Sequence, residues 1–174
     1  MGPGVTTLRG AYLTLRGAFR ERGVPAPELA AAEILRAVSG LSRTELTLRG
    51  DQPVSEEDTE RARRMAERHI HGEPLAYILG EWDFYGLRLT VTPDALIPRP
   101  DTETLAELAI ETLRRRAAGT HSGTARVLDL CCGGGCVGLA IAAHIPEAEV
   151  TLADLSRAAL ALAGRNAAAL SAEV

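Results

Sequence analysis

The chain has 174 residues, 46% hydrophobic and 24% charged, with three cysteines and a net charge of −4. That composition is globular and excludes an intrinsically disordered chain. All 19 basic residues are arginine and they form no basic tract, so the electrostatics give no case for bulk nucleic-acid binding. No window approaches the roughly 18 uninterrupted apolar residues of a membrane span, and no signal-peptide pattern opens the chain, so no membrane partner and a cytoplasmic location are expected.

In chain order, Leu8, Tyr12, Leu15 and Phe19 fall on one face at helical spacing, as do Ala31, Ile34, Leu35 and Val38 between Pro27 and Gly40. Ser42 with Glu45 is a capping box for a short third helix, and a fourth behind Ser55 turns Ala62, Met65, Ala66 and Ile70 inward before Gly72. Residues 1–72 are thus expected to form a helical bundle. Residues 73–100 change character: Trp82-Asp83-Phe84 and Leu87 to Val91 alternate around Tyr85-Gly86 as a hairpin, and Pro93, Pro98 and Pro100 hold an extended segment. A helix follows, with Leu105, Leu108, Ala109 and Leu113 as its expected buried face and Arg114-Arg115-Arg116 complementing its C-terminal dipole. Gly119 to Gly123 is read as the polar connection onward. Asp101 and Glu103 could be paired as acid and base, but their place in the first helical turn favours a dipole role.

The most informative stretch is Val127 to Ala140, an apolar strand running into Cys131-Cys132-Gly133-Gly134-Gly135 and then a helix. Glycines let backbone approach a ligand closely, and the helix start offers unpaired N–H groups to a polar or anionic group. Asp154 ends the next apolar run, 21 residues after Gly133, where a second parallel strand aims a carboxylate at ribose hydroxyls. The order strand, glycine turn, helix, strand, helix makes residues 101–174 the first part of a doubly wound, Rossmann-like α/β domain.

Gly133, Gly135 and Gly138 satisfy the dinucleotide spacing, which leaves a dinucleotide-dependent oxidoreductase open. Asp129, in the strand end two positions before the turn, favours another cofactor. A carboxylate there repels a pyrophosphate but suits the sulfonium and amino groups of S-adenosylmethionine. Cys131, Cys132 and Cys136 crowd one turn with only His144 nearby as a fourth ligand, which is not the two-pair spacing of a zinc site, and no metal is expected. Asn166, on the helix after Asp154, reads as a solvent-facing or cap-adjacent residue.

Gly72 to Gly80, the Trp82 to Gly86 hairpin and above all Ile97-Pro98-Arg99-Pro100-Asp101-Thr102-Glu103 resemble the methyltransferases that modify glutamine in peptide-chain release factors. The resemblance runs through Leu170. It implies an S-adenosylmethionine-dependent enzyme whose helical domain (1–72) recognises the release factor, whose hairpin linker (73–100) joins the domains, and whose methyltransferase fold (101–174) binds the cofactor. By position it places the cofactor loop at Cys131 to Gly135 and the ribose acid at Asp154, with Arg99 and Thr102 near the cofactor and the target glutamine. The family loop reads Asp-Leu-Gly-Thr-Gly-Ser-Gly, so Cys131 stands where its first glycine would be. The family's Asn-Pro-Pro-Tyr motif, which accepts both amide hydrogens of the target, does not occur in these 174 residues. The chain is therefore expected to be a truncated form with no assigned catalytic residue and little or no turnover. Two alternatives stay open beside the oxidoreductase: a non-catalytic module that binds release factors, and a methyltransferase of nucleic-acid amino groups.

Overall fold

The computed structural model describes residues 6–117, 124–172 and 174. The expected connection from Gly119 to Gly123 lies outside the described residues. The chain divides into two compact units, one ending at Leu79 and one beginning at Gly80.

In the first unit, the helices that open behind Thr7, Ser42 and Ser55 start at side-chain oxygen caps, whereas the one that opens at Pro27 has none. The Thr7 side chain accepts from the Gly10 N–H to open α1 (Leu8–Glu21). Ser42 and Glu45 close a reciprocal capping box on α3 (Arg43–Leu48), and Ser55 caps α4 (Glu56–Ile70). Helix α2 (Pro27–Ser39) ends at Gly40, whose left-handed backbone, φ 70°, is the conformation glycine adopts without strain. Phe19, Ala31, Ile34, Leu35, Ala62 and Ala66 form the core, with Tyr12, Met65 and Ile70 only partly buried against it. Among the described residues the one buried charge, Glu33, is held by Arg36 and Arg43. A short helix α5 (Leu75–Leu79) goes beyond the sequence expectation. It rests on Ile78 and Tyr77 N–H bonds to the Pro74 carbonyl, and five residues are too few to show helical periodicity.

The second unit opens with the hairpin β1 (Glu81–Phe84) and β2 (Leu87–Thr90). Tyr85 (φ 47°) and Gly86 (φ 79°) both take positive φ, as a two-residue type I′ turn demands. Helix α6 (Pro100–Ala117) carries Asp101 and Glu103 in its first turn and Arg114 to Arg116 in its last. Then come β3 (Arg126–Leu130), α7 (Cys136–His144), β4 (Glu149–Ala153) and α8 (Arg157–Leu170). Strands β3 and β4 pair in parallel, from Arg126 opposite Glu149 to Leu130 opposite Ala153. This is the opening βαβα of a Rossmann-like sheet.

Alternation along β3 turns Val127 and Asp129 inward and leaves Leu128 and Leu130 61% and 69% exposed. That face of the strand pair sets the two exposed leucines beside the exposed Arg126, Glu149 and Thr151. The expected face of α6 needs correction. Leu105 and Leu108 are 57% and 55% exposed, while Ala106 and Ile110 are wholly buried, with Ala109 and Leu113 beside them. Ala106 packs with Phe84, Leu89 and Leu139, and Ile110 with Ile141 and Val150.

Candidate functional site

The chain leaves β3 through a left-handed residue, Cys131 (φ 62°), followed by Cys132, Gly133 (φ 56°), Gly134 and Gly135 (φ 83°), the N-cap of α7. The Cys132 N–H donates to the Ala153 carbonyl at 3.0 Å, and the Gly135 N–H closes the turn on the Cys132 carbonyl at 2.8 Å. Asp154 ties the turn from the other strand: its two oxygens accept from the Gly133 and Ser156 N–H groups, each at 2.9 Å. Those bonds, Ser156 first, hold its carboxyl below the usual carboxylate range, so it stays ionised with lone pairs left for hydroxyl donors.

Asp129 lies at the start of α7, where Oδ2 accepts from the Gly138 N–H at 2.9 Å. The expectation of an open helix start is corrected here, because one of its donors already serves a carboxylate of the chain itself. Burial pushes the Asp129 carboxyl up, against the pull of the Gly138 bond, and the negative charge of Asp154 adds to the rise. Such a group gains from a cation nearby and loses from an added anion. Gly138 permits the approach: a Cβ there would stand 3.1 Å from Asp129 Oδ2 and 2.3 Å from a Leu152 methyl.

A cavity of about 260 Å³, near the ~300 Å³ lower end of small-molecule sites, is lined by Arg99, Thr102 and Asp129 together with Cys131, Cys132, Gly133 and Gly134. Leu96, Ile97 and Leu162 give it an apolar lining. Gly135 and Asp154 do not line it: Gly135 packs under the turn, and Asp154 holds the turn through Gly133. The site fits a cofactor with a cationic centre and a hydroxylated end. Gly133 and Gly134 leave the turn without bulk, Asp129 adds a carboxylate to a lining that also holds Arg99, and Asp154 stands one hydrogen bond away through Gly133.

Residues 11–80 match the family model described as PrmC N-terminal domain, and residues 103–174 match the methyltransferase small domain. A protein of Bordetella pertussis named release factor glutamine methyltransferase is 45% identical over 148 residues, 85% of this chain and 53% of the relative. One of the same name from Geobacter sulfurreducens is 40% identical over 165 residues, 95% of this chain and 55% of the relative. The chain belongs to the release factor glutamine methyltransferase family. It spans about half the length of the curated relatives it matches.

Against the glycine-first loop of that family, Cys131 is the residue with a measurable consequence. Its backbone lies at φ 62°, where a β-carbon costs about 1 kcal/mol. Cys131→Gly is expected to stabilise the second unit by about that amount, read as a higher urea midpoint without a change in slope.

The three cysteines are unpaired. Burial pushes the Cys132 thiol up and the Cys136 thiol up to about 11, so both remain protonated thiols at neutral pH. Among the described residues no group of three His, Cys, Asp or Glu is arranged to hold a metal ion. Glu103 is engaged in structure: its Oε1 accepts from the Tyr85 N–H of the hairpin turn at 2.9 Å. His144 bonds the Ala140 carbonyl and meets the Tyr85 ring edge-on. No helix among the described residues is long and apolar enough to cross a membrane.

Asn166 overturns its expected place in solvent. It is 2% exposed and lines the cavity. The signal was present in α8: Ala159, Leu162, Ala163, Asn166 and Ala167 form one stripe at helical spacing, and the asparagine sits within it.

Proposed function

We propose that this chain holds S-adenosylmethionine for methyl transfer to the side-chain amide of a glutamine in peptide chain release factors, acting in the cytoplasm. The observation that carries the reading is Asp129, a half-buried carboxylate lining the cavity at the start of α7. A pyrophosphate would meet that charge at the place where dinucleotide sites offer N–H groups. A sulfonium or ammonium would be stabilised by it.

When bound, the cofactor supplies an electrophilic methyl group. Asp154 would accept from its ribose hydroxyls while keeping Gly133 in place, and Asp129 would face its cationic part. Arg99 and Thr102, at the mouth of α6, would stand near the cofactor and the incoming glutamine. Cys131 to Gly135 form the turn beneath. An amide nitrogen is a weak nucleophile, and the family's Asn-Pro-Pro-Tyr groups that would orient it are not in this sequence. The first unit would supply the release-factor contact.

Calorimetric titration of the whole chain with S-adenosylmethionine tests this. Saturable binding is expected, lost in Asp154→Ala with the far-ultraviolet circular dichroism preserved. Saturation by a reduced nicotinamide, with none by S-adenosylmethionine, would replace the reading with an oxidoreductase.

A further inference from the structure

Thr90 stands opposite Glu81 at the open end of the hairpin. Counting from the two-residue turn, the pairs alternate between bonded and non-bonded, which makes Glu81 and Thr90 a non-hydrogen-bonded pair. The Thr90 N–H and carbonyl therefore point away from β1. Asn166 meets both: its Oδ1 accepts from the Thr90 N–H at 2.8 Å, and its Nδ2 donates to the Thr90 carbonyl at 3.1 Å. The side-chain amide thus pairs with β2 as a peptide of a neighbouring strand would. The second Nδ2 hydrogen goes to the Gly134 carbonyl at 3.0 Å, in the turn beneath the cavity. One buried side chain from α8 joins two segments 76 and 32 residues away in sequence, and all three segments line the same cavity.

We propose that Asn166 is the positioning residue of the cofactor cavity, fixing the glycine turn against the hairpin before any ligand arrives. The cofactor part of this inference rests on the function proposed above; the positioning part does not. No other neutral side chain of this size presents one acceptor and two donors in one plane. An apolar replacement leaves three partly buried backbone groups without this partner, and an aspartate keeps the acceptor but sets a carboxylate against two carbonyls. A protonated aspartic acid regains one donor, so the aspartate variant carries a pH signature that loss of packing lacks.

Two measurements on the full chain test it. In hydrogen exchange without ligand, Asn166→Asp and Asn166→Leu are expected to raise exchange about tenfold or more at Thr90 and across 132–136, with α6 unchanged. In titration with S-adenosylmethionine, Asn166→Asp is expected to bind about tenfold more weakly at neutral pH and to recover in part near pH 5, while the native chain changes less. Native-like exchange in Asn166→Asp would overturn the proposal, as would native affinity at neutral pH. Should Asn166→Leu fail to fold, Asn166→Asp decides alone. Should the native chain bind no S-adenosylmethionine, the proposed function fails while the exchange comparison still decides the role of Asn166.

Discussion

Gly135→Ala is expected to destabilise the second unit by roughly 2–4 kcal/mol, two costs acting together. Gly135 sits at φ 83°, a conformation that an L side chain resists. The added methyl would also stand 3.1 Å from a Leu139 methyl and 3.2 Å from both Ala163 Cβ and a Leu152 methyl. Ala163 Cβ is fixed to its helix and cannot rotate away, so the strain must be taken up by moving α8 or the turn. Gly133→Ala isolates the first cost. It too has positive φ, 56°, but the nearest atom to an added methyl is Ala95 Cβ at 3.8 Å. A loss of about 1 kcal/mol is expected there. Urea unfolding of the two variants separates strain from crowding, and equal losses would mean that the turn does not pack against α8 as described.

What the sequence made legible follows the range of the interactions involved. Caps at Ser42 and Ser55, the Tyr85-Gly86 turn and the strand, turn, helix order around Cys131 to Gly135 are set within a few residues, and each leaves a local pattern. The positive φ of Cys131 follows from its place in a turn whose other members are mostly glycines. Asn166 lies in the buried stripe of α8, so its burial follows from its local pattern, but its partners do not: Thr90 and Gly134 are remote in sequence and offer backbone groups, which carry no residue signature. Asp129 is legible as an acid near the turn, but its bond to Gly138 is not, since that depends on how closely α7 approaches β3. Short α5 and the chosen face of α6 escape for related reasons: the first has too few residues to show a period, and the second offers two overlapping apolar stripes.

The two stripes of α6 can be told apart by substitution. Leu105 and Leu108 are the bulkier pair near the start of the helix, whereas the structure buries Ala106 and Ile110. The choice is made by what lies opposite: Ile110 meets Ile141 of α7 and Val150 of β4, and Ala106 is small enough to let the helix close on Phe84 and Leu139. Leu105 instead reaches the cavity wall. Ile110→Ala is therefore expected to cost about 2–5 kcal/mol, because it removes buried methyl groups and leaves a void between α6, α7 and β4. Leu108→Ala, at an exposed position, is expected to stay within about 0.5 kcal/mol of the native chain. Thermal unfolding reads the difference directly, since each 1 kcal/mol shifts the midpoint of a unit this size by roughly 4–8 °C. A larger loss at Leu108 than at Ile110 would mean that α6 is rotated about its axis. Thr102 and Glu103 would turn with it, away from the cavity and the hairpin amide that they now meet.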